Sequence, residues 1–505
     1  MIEWRTPSCA APGRLPVQVS LSLVLLGVTA FWALPGRAET NSGIYLKTES
    51  FEHDPGWEAY NNHVQPARVP VIVQDFGYCA AGADGQTGGA IGGKFTRASK
   101  PAYYAKANGS KSLQDELSAS GTFRLTSTSG NSGIFFGWFN SHQRPGSGRA
   151  VGSFGMDFDG EHGGARLAVR MISHSNKSCG TFITPFIPGK FRPTPIRNDG
   201  TRYKWDMAYD PKANDGKGRF TFRIQGDSPK PEEFEGKTFS VDLPGGFKED
   251  GAAFDHFGLM NAMKPGGRMT AYFSDLVCDG QAEDLMKDPN WEGSGNRANY
   301  NETDPVGAHN FGFSPETSFA GGAKGEVGGK FWRSGPFAYY GDNVGHLSLS
   351  QPLEASGKVV LLVGAPDSDM YFGWFNSTNH TLPAGGKKVA PVPIFLGVHV
   401  GGPTRVGHYF QPAYSLENGI KKSSKTGPVL TPGKTFEWTL RYEPVTRKSS
   451  GVLRVSLGGE STSLAVVKPD SWQSLGLDRF GLFTSPIGGQ MVEVYFDDLR
   501  YTASP

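Results

Sequence analysis

The chain has few cysteines, no surplus of either charge, and no long apolar run outside its first residues. Four cysteines in 505 residues are too few for a disulfide scaffold. Past residue 38 no stretch approaches the roughly 20 apolar residues that span a bilayer, and no stretch keeps a capped helical period. Lys and Arg number 50 and Asp and Glu 48. Once the three arginines and one glutamate of the first 38 residues are set aside, the two signs are equal in number. A nucleic-acid binder needs a basic surplus to displace counterions from phosphates, so nucleic acid is excluded as a partner and a neutral, glycan-like or apolar one is expected.

The first 38 residues read as a cleaved signal peptide. Arg5 and Arg14 form a positive n-region, Val17 to Trp32 is predominantly apolar, and Gly36-Arg37-Ala38 offers small residues where a peptidase cuts. The remainder is expected to be exported, either secreted or held in the periplasm or at the cell surface, without a membrane span. Cys79, Cys179 and Cys278 survive cleavage, which permits one internal bridge at most.

What the sequence does have, it has twice. "FGWFNS" at Phe136–Ser141 returns at Phe372–Ser377, 236 positions on. Gly92-Gly93-Lys94, Arg97, Ala102-Tyr103-Tyr104 and Ala119-Ser120-Gly121 recur at the same offset. Asp54-Pro55-Gly56-Trp57-Glu58 answers Asp288-Pro289-Asn290-Trp291-Glu292, and "YFSDL" from Tyr272 answers "YFDDL" from Tyr495. A period this long marks a duplicated domain rather than a solenoid, whose repeats are much shorter. The expected boundaries are 39–285 for the first domain and 286–505 for the second.

Short alternating runs such as "SFGMDFD", "RLAVRMI", "KWDMAYD" and "RFTFRIQ" are separated by Gly, Asn, Asp and Pro. With 69 Gly and 35 Pro in the chain, the pattern predicts an all-β protein built as two tandem β-sandwiches. The closing "DRFGLFTSPIGGQMVEVYFDDLRYT" and the Trp-x-x-x-Tyr strands (Trp205–Tyr209, Trp438–Tyr442) resemble the concanavalin A-like, or laminin-G-like, jelly rolls. The chain also resembles large secreted proteins of environmental bacteria. The jelly-roll resemblance implies a bent sheet whose concave face binds or cuts glycans.

In "SFGMDFDGE" alternation turns Phe154, Met156 and Phe158 to the core and Asp157, Asp159 and Glu161 the other way. Three acids on one strand face repel unless something gathers them. Arg166 and Arg170 of the next run could pair with them, an Asp-x-Asp-Gly-Glu cluster could hold calcium, or the acids could be catalytic. Jelly-roll glucanases carry a similar acidic strand, which implies Asp157 as nucleophile, Asp159 as helper and Glu161 as acid/base. Gly160 suggests that the strand turns before Glu161. In the second repeat "IFLGVHVGG" sets Gly397 and His399 where Asp157 and Asp159 stood. Trp138 and Asn140 share one face of their strand, as do Trp374 and Asn376, with Phe139 and Phe375 on the other. Trp and Asn suit sugar recognition if Phe fills the core; alternatively the Trp is itself core.

The expectation is therefore an exported, monomeric protein that binds polysaccharide or a glycoconjugate, with Trp138, Asn140, Arg166, Arg170, Trp374, Asn376 and His399 as binding residues. The alternatives are a glycoside hydrolase acting through Asp157, Asp159 and Glu161, and a cell-surface or matrix module that binds protein.

Overall fold

The computed structural model describes residues 43–80, 88–142, 145–146, 148–174, 177–183, 196–226, 237–333, 335–365, 367–378, 393–402, 407–416, 421–444, 451–466, 476–485 and 489–505. The proposed signal peptide lies outside them. The protein is all-β: the one helix among the described residues is the four-residue Phe247–Asp250. Period-two patterning does the work expected of it. Along Tyr203–Asp210, Tyr203, Trp205, Met207 and Tyr209 are buried while the intervening residues are exposed. The polar turn from Asp210 to Gly218 returns the chain antiparallel as Arg219–Gly226.

The strands form two sandwiches, each a nine-stranded sheet packed against an eight-stranded one. Two separate aromatic-rich cores fill them. The cores match ring for ring. Phe136 stacks on Phe273 at 4.3 Å and meets Trp205 edge-on, while Phe372 stacks on Phe496 at 4.2 Å and meets Trp438 edge-on. The repeated Gly-Gly-Lys has an equally local cause. A Cβ on Gly92 would stand 2.1 Å from the Ala271 carbonyl oxygen and one on Gly93 2.3 Å from that of Asp75; on Gly328 and Gly329 the distances to Val494 and Asn310 are 2.2 Å each. Both faces of that strand press on a neighbour's backbone, so only glycine fits.

The sheets do not part between residues 285 and 286, which corrects the expected boundary. Gln281–Ala282, Glu292–Ser294 and Arg297–Asn301 all pair with strands of the first sandwich. Their counterparts at the start of the chain, Tyr45–Glu49, Glu58–Tyr60 and His63–Val64, pair with Met491–Ala503, Tyr339–Leu347 and His309–Ser314 of the second. The first sandwich thus runs from Val71 to Asn301, and the second combines residues from His309 onward with an arm from residue 43 to residue 64. Where the first sandwich turns through Asp279-Gly280, the second has the two chain segments side by side. A Cβ on Gly43 would lie 3.3 Å from the Pro505 ring.

Each arm inserts a tryptophan: Trp291 stacks on Tyr104 at 5.9 Å in the first core, and Trp57 packs on Tyr340 at 5.6 Å in the second. Each arm also makes an ion pair of opposite polarity. Lys47 bonds Asp342 at 2.9 Å, whereas Glu283 bonds Lys106 at 2.7 Å. Lys106 and Asp342 are equivalent positions, 236 apart. Exchanging the arms would bring Lys47 to Lys106 and Glu283 to Asp342, so like-charge repulsion opposes the wrong seating.

No two of the described cysteines, Cys79, Cys179 and Cys278, are bonded to each other, and burial pushes the Cys278 thiol up to about 12.

The arm exchange changes which fragments fold. Residues 66–303 are expected to melt cooperatively alone, whereas 304–505 without the arm lack Trp57 and Phe51 and are not. Appending residues 43–64 after residue 505 through a short linker restores the transition. Circular dichroism melts check this, and a cooperative melt from 304–505 alone would show the arm to be dispensable. Trp57→Ala in the full chain is expected to cost about 3–5 kcal/mol, read by denaturant titration.

Candidate functional site

The acidic strand Ser153–Glu161 lies between Ser132–Phe139 and Gly164–Ile172. Phe154, Met156 and Phe158 are core residues and Asp157, Asp159 and Glu161 face the other way. The strand continues through Glu161, which pairs with Gly164, so the turn expected at Gly160 falls later, at His162-Gly163. Each acid meets a guanidinium. Asp157 pairs with Arg170 at 3.2 Å, Asp159 with Arg166 at 2.6 Å and with Arg97 at 3.0 Å, and Glu161 with Arg166 at 3.2 Å. Arg170 in turn lies over the Phe182 ring at 5.4 Å. Of the three readings of these acids, the geometry is that of paired charges. Among the described residues no group of three or more His, Cys, Asp or Glu is arranged to hold a metal ion.

Arg97 is the partner that sequence reasoning missed, although its recurrence as Arg333 was the available signal. It is 4% exposed, and a Cβ on its neighbour Gly133 would stand 2.8 Å from the Phe158 carbonyl oxygen and 2.9 Å from the guanidinium Nε. In the second sandwich the acid changes strand. Asp369 occupies the Gly133 position and pairs with Arg333 at 3.3 Å, while Asp367 pairs with the same arginine. Register corrects the place of His399. It stands opposite Tyr371, as Asp157 stands opposite Phe135, so His399 replaces Asp157 and Gly401 replaces Asp159. His399 stacks on Tyr371 at 4.7 Å and approaches Asp369 at 3.3 Å.

The repeated hexapeptide is structural at every position. Phe136 and Trp138 enter the first core, as Phe372 and Trp374 enter the second, and both tryptophans are wholly buried. Sugar cannot stack on them, which corrects the expected binding role. Phe139 and Phe375 instead close small aromatic clusters on the opposite face, with Phe135 and Met260 in one copy and Tyr371 and Phe483 in the other. Glycines make room for them. Gly155, Gly137 and Gly258 stand side by side across three strands, and Gly397, Gly373, Gly481 and Gly341 across four. A Cβ on Gly155 would press on Phe135 at 2.9 Å, and one on Gly341 on Phe375 at 3.2 Å.

Asn140 and Asn376 are turn residues rather than sugar ligands. The Asn140 side-chain oxygen accepts from the His142 amide at 3.0 Å and that of Asn376 from the Thr378 amide at 3.0 Å, while Asn376 Nδ2 donates to the Gly476 carbonyl at 2.6 Å. The serine that follows binds an aspartate. Ser141 Oγ donates to Asp255 at 2.9 Å and Ser377 Oγ to Asp478 at 2.7 Å. Each aspartate then meets the residue after it, and that residue reaches the arm's glutamate. His256 lies 2.8 Å from Asp255 and 3.0 Å from Glu292, and Arg479 lies 3.3 Å from Asp478 and 3.0 Å from Glu58. Tyr103 and Tyr339 complete the chains by donating to Glu292 and Glu58 at 2.6 Å. The hexapeptide is thus one end of the device that fastens each arm.

Two adjoining cavities lie between the sandwiches. A cavity of about 650 Å³ is lined by Arg97, Asn131, Asp159, Glu161 and Arg166 of the first sandwich and by Asp367 and Gln490 of the second. A second cavity of about 360 Å³ shares Lys264 and Gln490 with it and adds Lys100, Asp304, Lys330 and Glu493. Positive and negative groups alternate along both walls. Arg166 and Glu161, Lys330 and Asp304, and Arg333 and Asp367 are already paired. The cleft therefore offers hydrogen-bond donors and acceptors without a strong field of one sign.

No family model matches the sequence and no curated protein matches it. Among solved structures the chain is similar to domains LG4-5 of the mouse laminin alpha1 chain, with 12% identity, 88% of this chain and 94% of that one covered, and a TM-score of 0.25. It is also similar to the cellulose induced protein Cip1, with 14% identity, 39% and 91% covered and a TM-score of 0.25, and to peanut lectin, with 12% identity, 48% and 94% covered and a TM-score of 0.20. At such identities and TM-scores these likenesses carry no argument.

Two outcomes follow from the ion pairs. Asp159→Asn removes the carboxylate that pairs with the buried Arg97 at 3.0 Å, and is expected to destabilise the first sandwich by roughly 1–3 kcal/mol in denaturant titrations. The arm fastening responds to pH. Burial opposes protonation of His256, but Asp255 and Glu292 outweigh it and raise its pKa above the ordinary value. Burial likewise works against the Asp255 charge, yet hydrogen bonds from His256, Ser141 and His142 hold its pKa down at about 2. The His256 contribution is therefore complete below about pH 6.5 and is lost as pH rises through its raised value. The melting temperature of residues 66–303 is expected to fall over that interval, and His256→Arg, which copies Arg479, to abolish the fall. An unchanged pH profile in that variant would remove His256 from the fastening.

Proposed function

We propose that the chain is an exported carbohydrate-binding protein whose ligand lies in the cleft between the two sandwiches. The observation that carries this reading is the pair of adjoining cavities, walled by both sandwiches and lined with paired charges of both signs. Volumes of this order suit a bound small ligand or a short stretch of polymer. The balanced charge of the walls suits hydroxyl groups, which both donate and accept, better than a polyanion. The equal numbers of basic and acidic residues beyond residue 38 point the same way. Export rests on the composition of the first 38 residues.

Hydrolysis is the second reading, because Asp159 and Glu161 line this cleft. A glycosidase needs one carboxyl group to give a proton and another to attack or to activate water. Carboxylates already committed to Arg97 and Arg166 are poorly placed for either task, which favours binding.

A glycan array probed with the chain from residue 39 onward, with and without chelator, tests both readings. Retention of neutral polysaccharides is expected, with Gln490→Ala lowering affinity about tenfold, equivalent to roughly 1.4 kcal/mol. Incubation with each retained, unmodified polysaccharide is expected to release no product. Product release that Glu161→Gln abolishes while binding survives would establish the hydrolase instead. Retention of no glycan at all would overturn the binding reading.

A further inference from the structure

The duplication supplies an internal comparison beyond the cleft. Each sandwich has a hollow at the same place, where the buried Tyr209 or Tyr442 donates to the carbonyl of Leu113 or Leu349 at 2.9 Å. Tyr209 stands opposite Leu117 and Ala208 opposite Ser118; in the second sandwich Tyr442 stands opposite Leu353 and Arg441 opposite Glu354. These matched pairs line cavities of about 560 Å³ and 460 Å³ respectively.

The rims have diverged. In the first sandwich the rim is charged and internally satisfied, with Lys111 bound to Asp279 at 2.9 Å and Arg219 to Asp242 at 2.6 Å. In the second, Ile44, Tyr45 and Leu46 of the arm form part of the lining. Tyr45 is 52% exposed. Around it stand Glu354, Arg441 and Glu443, whose ion pairs are long and open to solvent: Arg441 to Glu354 at 3.9 Å and Arg454 to Glu443 at 3.6 Å. Pairs of that kind contribute little to stability, so these groups can turn to a ligand at small cost.

We propose that this hollow is a second glycan-binding site, specific to the second sandwich and completed by the arm. The inference rests on the reading that the chain binds neutral glycans. An aromatic ring standing at the rim of a cavity presents a flat apolar face to the C–H face of a pyranose. Two carboxylates and a guanidinium beside it accept from and donate to the hydroxyls at the sugar's edge. A wholly apolar ligand would leave those three groups without use. An ionic ligand of either sign would meet a partner and a repeller together. A neutral oligosaccharide, apolar on one face and polar at its edge, satisfies both halves of the lining. With the cleft, it gives one chain two sites for one polymer, and binding to long chains is strengthened by effective concentration.

Cellotetraose, laminaritetraose, mannotetraose and xylotetraose, titrated calorimetrically into the full chain, test the proposal. At least one is expected to bind at two sites. Tyr45→Ala is expected to remove one, weakening it about tenfold or more, while Tyr45→Phe keeps it; because Tyr45 is outside the core, the melting temperature of both variants is expected to stay near that of the parent. Gln490→Ala is expected to remove the other site alone. Tyr45→Ala titrating like the parent, with loss confined to Gln490→Ala, overturns this site and leaves the cleft reading standing. Loss confined to Tyr45→Ala supports this site and overturns the cleft as the place of binding. Should none of the four sugars bind the parent, both fall.

Discussion

Trp57 belongs to the first repeat by chain order and to the second core by contact. Most of the architecture depends on that displacement. With its sister Trp291 packed in the first core, each arm supplies a buried ring, an edge strand and a glutamate fastened by Tyr and by His or Arg. Without its arm a sandwich would expose a tyrosine-lined slot and unpaired strand edges. The polarity of the Lys47–Asp342 and Glu283–Lys106 pairs then distinguishes two seats that are otherwise nearly alike. Burial of the tryptophan provides the strength and the surface charges provide the choice.

The glycine rows exert a different constraint. By leaving the middle of the eight-stranded sheets bare, they let Phe139 and Phe375 lie down on the face turned away from the core. That face, where a bent-sheet lectin would offer its rings, is partly covered by the protein's own aromatics, and the rest of it in the first sandwich is a ladder of ion pairs. That ladder runs on into the cleft between the sandwiches, which Asp159, Glu161 and Arg166 line, while the hollow beside Tyr45 lies at the end of the second sandwich.

Much of this was legible in the sequence. The duplication, the all-β class, and the facing of Phe154, Met156 and Phe158 against Asp157, Asp159 and Glu161 all follow from repetition and period two. Arg166 and Arg170 were visible as partners because they sit on the adjacent run. Arg97 was not, because it arrives from a strand more than 60 residues earlier and only the three-dimensional register brings it to Asp159. The role of Trp138 was ambiguous for a related reason. Alternation says which residues share a face, but not which face is the core when both carry aromatics. The arm exchange left no trace in the order of the motifs: an arm seated on its own repeat and one seated on the other would be written identically.

The arm also fixes an order of events during synthesis. The first sandwich has every strand it needs once Asn301 has left the ribosome, since its closing segment follows it directly. The second cannot close until Met491–Ala503 exists, because Tyr45–Glu49 pairs with that strand. The stretch made earliest among the described residues is therefore among the last to find its seat. For some 440 residues of elongation it carries Phe51 and Trp57 unburied, the last 200 or so of them beside a finished neighbour whose matching slot is filled by Trp291. Early completion of the first sandwich removes the one wrong place the waiting arm could take.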